Sequence, residues 1–358
     1  NGWDLEITGN LSITGGQMNL SGQTTIKANI VSISVQSINL NGGSIYGDIV
    51  QISAGNINGP GYIYYCTSQA ISAGQINDNN GGPSILQQQC GNDSDGDGVN
   101  DVDDAYPDDA NKAFEIYGPS LTNFGLLTFE DLWPSFGDYD FNDVDLRYRA
   151  TVILNANNEA VEIEFVCKTI ANGAGFTNGF GIELEGVAWD NVQSVTGTVY
   201  TEGYISLNPN GTESGQQDAV IIFTDNQDNL IEEQTITVIF NQPISTNQLG
   251  EIPFNPFIIK DSVRVNEIHL PYYNPTDLGS NTAPQFTGGN QDTDGNYISS
   301  DGYPWAMSIL EEIDLPSEGV SIDEAYNFFI NWATSGGNNN PDWYKNLPGH
   351  VNPDKIDD

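Results

Sequence analysis

The sequence predicts a mainly β protein in three parts: an N-terminal β-solenoid, parallel β-helix-like, over residues 1–90; an acidic calcium-binding linker over 91–112; and a C-terminal antiparallel β-sandwich with one C-terminal helix over 113–358. Three observations carry that reading. Short alternating apolar triplets (LSI, MNL, TTI, VSI, INL) recur through residues 1–65, parted by Gly, Asn and Gln. Aspartates then fall on a fixed rhythm between residues 93 and 104. From residue 145 onward, apolar or alternating runs of strand length follow one another, with Gly, Asn and Pro between them.

In residues 1–65 the apolar residues recur at every second place within each triplet, as a half-buried strand requires. Their short, quasi-regular spacing points to stacked coils rather than hairpins. The period drifts, so no fixed repeat length follows, and a β-sandwich of short strands is the alternative. No polar cap precedes Trp3, Leu5 and Ile7. Stacked repeats need capping, and an unpaired strand edge is a template for another chain. Either Trp3 folds over as a cap, a cap lies outside this sequence, or this end docks against another subunit.

The linker NDSDGDGVNDVDD offers hard oxygen ligands at alternating positions with a Gly for a sharp turn, which suits Ca2+. Counted as an EF-hand loop, Asp93, Asp95, Asp97, the Val99 carbonyl, Asp101 and Asp104 take positions 1, 3, 5, 7, 9 and 12, and Gly98 takes position 6. The flanks exclude an EF-hand. QQQCGN precedes the loop without an amphipathic helix, and AYPDDANKAF follows with a Pro and no apolar stripe. The plain alternative is a solvated acidic linker.

A second acidic constellation follows in FEDLWPSFGDYDFNDVDLRY. Glu130, Asp131, Asp138, Asp140, Asn142 and Asp143 alternate with Phe129, Trp133, Phe136, Tyr139 and Phe141 ahead of the strand DLRYRATVIL. Asp138, Asp140, Asn142 and Asp143 are the candidate ligands of a calcium clamp that ties this loop to a sheet. A hydrogen-bonded turn without metal and a glycosidase-like carboxylate pair are the alternatives. Further on, Asp292, Asp294, Asn296 and Asp301 form either a third cation loop or an Asx-rich turn. Residues 160–270 supply the sandwich strands. SIDEAYNFFINWATSG predicts one helix, with Ser321 and Glu324 as a capping box, an apolar face of Ile322, Ala325, Tyr326, Phe329, Ile330 and Ala333, and Gly336 just past its end.

Two resemblances become visible at these residues. The linker fits DxDxDGxxDxxD at every fixed position and resembles a thrombospondin type 3 repeat, which implies a calcium-stiffened joint. FEDLWPSFGDYDFNDVDLRY, with GAGFTNGFGIELEGV, NEIHLPYYNPTD, DGYPWAMSIL and SIDEAYNFFINWATSG, resembles the LruC-type domain of bacterial surface proteins, found mainly in Bacteroidota. That resemblance implies a β-rich domain of an exported or lipid-anchored protein and transfers no catalytic residues.

Composition limits the function. With 9 Lys+Arg against 49 Asp+Glu, the net charge is −40. Nucleic acid and anionic membrane surfaces need clustered basic residues and are excluded as partners. Self-repulsion on this scale weakens a compact fold unless cations relieve it. No run of 18 apolar residues exists, so no membrane-inserted helix is expected. No secretory signal opens the sequence, so an exported protein is expected here in mature or trimmed form. Cys66 and Cys90 could pair in an oxidising compartment, while Cys167 sits in an alternating run as a core residue. GxSxG, HExxH, P-loop and post-strand GxGxxG motifs are absent, and His269 and His350 stand outside any triad pattern. His350 reads as solvated. The expectation is a non-enzymatic, calcium-stabilised extracellular structural protein, a subunit of a bacterial surface filament, sheath or adhesive layer polymerised by head-to-tail contacts. Two alternatives remain: a surface glycan binder using Trp305, Tyr272, Tyr273 and Trp343, and a polysaccharide hydrolase.

Overall fold

The computed structural model describes residues 4–22, 24–77, 82–87, 93–171, 173, 175–280, 291–292 and 294–356. The chain divides into two compact units: Asn1–Glu115 with Leu154–Glu159, and Ile116–Ile153 with Ala160–Asp358.

In the first unit, five strands stack in sequence order: β1 (Asp4–Asn19), β2 (Thr25–Asn39), β3 (Ser44–Asn58), β4 (Tyr62–Asn77) and β5 (Ser84–Gln87). All four ladders are parallel, which gives the solenoid and excludes the sandwich for this region. The strands are longer than the triplets suggest, because register irregularities such as those at Ile7/Asn10 and Gly47/Ile49 interrupt a ladder without ending the strand. Coils begin at the paired positions Asp4↔Thr25, Thr25↔Ser44, Ser44↔Tyr62 and Tyr62↔Ser84, so the repeat does drift. Like residues stack in columns. Ile13, Ile33, Ile52 and Ile71 form one, and Met18, Ile38, Ile57 and Ile76 another. Val31, Ile33, Ile38, Ile45, Val50, Ile52 and Ile57 are buried in this core. Asn39 and Asn58 each donate an amide N–H to the Asn of the coil before, Asn19 and Asn39 respectively. A side chain at Gly61 would put its Cβ 2.6 Å from the Leu40 Cβ, so the coil corner closes only on Gly. The pairing of Cys66 with Cys90 and the Trp3 cap lie outside the described residues.

The second unit contains β6 (Phe114–Gly118), which begins in the first unit and pairs β8, and two sheets. The larger runs β11 (Val192–Thr196), β13 (Gln234–Ser245), β9 (Glu159–Ala171), β8 (Val144–Leu154), β7 (Gly125–Phe129), β16 (Ala306–Ile309). The smaller runs β12 (Asp218–Thr224), β10 (Gly179–Ala188), β14 (Asn255–Ile259), β15 (Glu267–His269). The β10–β12, β10–β14, β11–β13, β14–β15, β16–β7 and β7–β8 ladders are antiparallel. Phe129 and Phe165 of the larger sheet meet Phe180 and Phe223 of the smaller edge-on, at 6.3 and 5.0 Å between ring centres. Cys167 is buried, as its alternating run predicts.

A further apolar layer covers the larger sheet. Leu126, Met307 and Ile309 pack with Tyr139 and Phe141 of the acidic loop and with Ile322, Tyr326, Phe329 and Trp343. Here the expected single helix breaks into two short ones, α2 (Ile322–Ala325) and α3 (Phe329–Ala333), after a first short helix α1 at Thr246–Leu249. Tyr326 adopts an extended φ of −121°, bridges to Val351, and gives its hydroxyl to the Asp314 carbonyl; these bonds compete with a continuous helix. Ser321 precedes α2 but makes no side-chain cap; its hydroxyl bonds Asp323. Ile330 is exposed, while Gly336 ends the segment at φ +62°. His350 is not solvated: its Nδ1 lies 3.0 Å from the Asp342 carbonyl and its ring abuts Phe328.

A buried polar network crosses the smaller sheet. Glu267 accepts from Arg264, His269 and Thr276, His269 Nδ1 bonds Asn255, and the Asn255 amide donates to Glu183 at 2.9 Å. Burial, then the neighbouring Glu185, Asp218 and Glu267 charges, push the Glu183 carboxyl up to about 7. The folded protein therefore holds a proton that the unfolded chain releases near pH 4.5, and this group's contribution to stability is lost as pH rises from there through 7. Glu183→Gln removes the titration. Between pH 4.5 and 8 the variant should lose about 2 kcal/mol less stability than the parent, read by denaturant unfolding at several pH values.

Candidate metal centres

The acidic segment of the first unit is folded by its own carboxylates. Asp93 accepts from the Gly96 and Gly98 N–H groups at 2.8 and 3.3 Å. Asp95 accepts from Asp97 N–H, Asp97 from Val99 N–H and Asp104 from Tyr106 N–H. Gly96 and Gly98 take φ of +81° and +99°, values that a side chain would strain. Each of Asp95, Asp97 and Asp104 spends one oxygen on the backbone; its other oxygen is buried with no hydrogen-bond partner. One ligand atom each from Asp93, Asp95 and Asp97 lies within 4.8 Å of the others. Two carboxylates at that separation repel by about 3 kcal/mol at an effective dielectric of 20. Burial, reinforced by their acidic neighbours, raises the Asp97 and Asp104 carboxyls. The donor set is all oxygen, so a hard cation such as Ca2+ fits it and a soft one does not.

Two of the sequence candidates have protein partners of their own. Asp101 turns both oxygens to Ser94, accepting from its N–H at 2.7 Å and its hydroxyl at 2.9 Å. It braces the loop from end to end. Val99 is buried and gives its N–H to Asp97.

In the second unit the loop between β7 and β8 carries the other cluster. Asp138 and Asp140 meet Glu318, with ligand atoms again within 4.8 Å of one another. Asp140 is 1 % exposed; its Oδ2 accepts from Gly319 N–H at 2.8 Å and Asn142 Nδ2 at 3.1 Å, and its Oδ1 is buried without a partner. Asn142 presents its amide nitrogen to this group, donating also to Glu318 at 3.3 Å. It therefore holds the two carboxylates rather than adding an oxygen. Asp143 stands apart, accepting from Asp131 N–H at 2.8 Å. Glu318 was not among the sequence candidates. Nothing local marks it, because its partners lie far back in the chain.

Behind the cluster lies an acid core. Glu130 is fully buried, takes the Phe141 N–H on one oxygen and leaves the other without a partner. Burial, then the Asp143 and Asp140 charges, drive its carboxyl well above the usual range. Asp143 and the wholly buried Asp145 are raised by burial first and by acidic neighbours second. Lys260, over the Phe176 ring at 4.7 Å, has its own value lowered by burial. Asp292 behaves otherwise. Gly295, Asn296 and Tyr297 N–H and the Trp133 indole all donate to it, which makes it the centre of a turn.

Residues 158–344 match the family described as "Domain of unknown function (DUF4842)", just over half of the chain, and the protein belongs to that family. No curated protein is significantly similar to it. Among solved structures, a crystal structure of a "Putative lipoprotein from Bacteroides ovatus" is similar at 18 % identity and a TM-score of 0.47, over 68 % of this chain and 76 % of that one.

Asp97, with a buried oxygen left unpartnered, and Asp101, with both oxygens on Ser94, give different expectations. Asp97→Asn should weaken calcium binding at the first loop by at least about tenfold in titration calorimetry, because carboxylate count tunes such loops. Asp101→Asn should instead cost about 1 kcal/mol with or without calcium, through weaker bonds to Ser94.

Proposed function

We propose that this protein is a calcium-stabilised structural protein of the bacterial exterior, a subunit of a surface filament, sheath or adhesive layer, with no catalytic role. One observation carries the reading: Asp95, Asp97 and Asp104 each bury a carboxylate oxygen that no donor satisfies. A buried, unpaired charge is costly, and a hard cation among such oxygens removes the cost. The thrombospondin type 3-like spacing and the LruC-type motifs support an exported setting, where calcium is abundant enough for sites of modest affinity.

Assembly is supported by the solenoid. β1 is the end strand of its sheet and is 16 residues long, with hydrogen-bonding groups facing away from β2. A second copy that engages this edge with a different surface makes a heterologous contact, which extends into a filament when the rotation does not close.

Glycan capture is the second reading, favoured by a cleft of about 320 Å³ in the second unit, lined by Tyr272, Tyr273, Trp332, Pro271 and Pro304 and, among the described residues, by no charged one. Tyr272 is 72 % exposed there. Trp305 and Trp343, by contrast, are buried in packing and unavailable to a sugar.

Calcium should raise the unfolding midpoint, with a gain of roughly 3–4 kcal/mol at a hundred to a thousand times its dissociation constant. Negative-stain images should show ordered polymers in calcium that dissolve on chelation. Monomers at every concentration, with an unchanged midpoint, count against the structural reading.

A further inference from the structure

We propose that Glu318, with Asp138 and Asp140, holds a divalent cation that fastens the turn at residues 316–322, and the apolar layer behind it, to the acidic loop at 136–142. The inference rests on the calcium reading above and extends it to a site joined across the length of the second unit.

The three carboxylates converge from two segments, within 4.8 Å at their ligand atoms. Convergence of acids alone is not a site. What distinguishes this one is a buried oxygen that no protein donor meets. Asp140 is 1 % exposed, and its Oδ1 is enclosed without a partner while its Oδ2 is held by Gly319 and Asn142. Asn142 sets the spacing by donating to both Asp140 and Glu318. Three carboxylates and no nitrogen or sulfur ligand select a hard divalent cation, with Ca2+ the best suited to an irregular oxygen shell completed by water.

The two segments are also joined on their apolar side. Ile322 N–H donates to the Tyr139 carbonyl at 2.9 Å. Tyr139 and Phe141 both pack on Phe329, at 6.0 and 6.1 Å between ring centres. Rings thus hold one face of the loop to the helical layer. A cation at the carboxylates closes the opposite face, where like charges otherwise push the segments apart.

The test is hydrogen exchange on the full chain, in calcium chloride and in chelator, for the parent, Glu318→Gln and Asp97→Asn. Glu318 is exposed, and the glutamine keeps an oxygen for Asn142, so the fold should survive. Calcium should slow exchange of the parent at least tenfold in both 136–142 and 318–334. Glu318→Gln should lose that protection while keeping the calcium response of residues 93–104, and Asp97→Asn should do the reverse. Calcium protection of 318–334 that survives Glu318→Gln overturns the clamp, as does protection confined to 93–104 in the parent. Absence of any calcium response in either region overturns the calcium reading itself.

Discussion

The fold depends on where its carboxylates put their oxygens. With 49 acidic against 9 basic side chains, few carboxylates can meet a cation, and the backbone becomes the main counter-group. Asp225 is fully buried and takes the N–H groups of Thr201, Glu202 and Gly203. Asp292 takes three peptide N–H groups and an indole. Both are saturated, so burying them costs little. Glu267 and Glu213 are buried acids that find cationic company, both in Arg264. Against these, the half-satisfied Asp95, Asp97, Asp104, Asp140 and Glu130 stand out. The same chain shows how it satisfies a buried acid with protein donors, and at these five positions, as at the wholly buried Asp145 with both its oxygens unpartnered, it does not.

The solenoid meets the opposite constraint. Each paired side chain there stands beside its counterpart one hydrogen-bonded strand away, at about 4.8 Å, so like charges repeated in one column would face their own kind along its length. Glu6, Lys27, Tyr46 and Tyr64 occupy one such column. The first two form an ion pair at 2.8 Å and the last two stack at 4.4 Å, so no like charges touch. The Asn19–Asn39–Asn58 column works by the same logic, since an amide is both donor and acceptor and can bond its own copy.

Legibility in the sequence follows the range of the forces. Apolar alternation marks the solenoid coils and the sandwich strands, because burial of one face is a local pattern. The Asp rhythm marks the first acidic loop for the same reason: its bonds span two to five residues. Asp101 was legible as an oxygen in the right place but not as a brace, since Ser94 carries no special spacing. The break between α2 and α3 depends on Val351 and Asp314, which no helical periodicity reveals. Glu318 is the extreme case, an ordinary exposed acid whose meaning comes from Asp140 and Asn142 nearly half the chain earlier. Trp305 and Trp343 look like exposed ligands' platforms in sequence only because composition does not say which ring the core will take.

The loop at 136–142 shows how sequence pattern becomes convergence. Its rings and carboxylates alternate, as on a strand, yet an extended strand holds side chains at i and i+2 about 7 Å apart. Here Tyr139 and Phe141 take φ of +60° and +54°, a left-handed conformation that bulky residues adopt at a cost of order 1–3 kcal/mol each. The turn keeps both rings on the apolar layer, against Phe329, and draws the Asp138 and Asp140 ligand atoms to within 4.8 Å. Aromatic burial, at roughly 1.5–3 kcal/mol for a large apolar side chain, can offset the backbone strain. It acts on a different face from the repulsion among the carboxylates, which is about 3 kcal/mol a pair at an effective dielectric of 20. That repulsion is met by a proton, toward which burial already pushes Asp140, or by a cation.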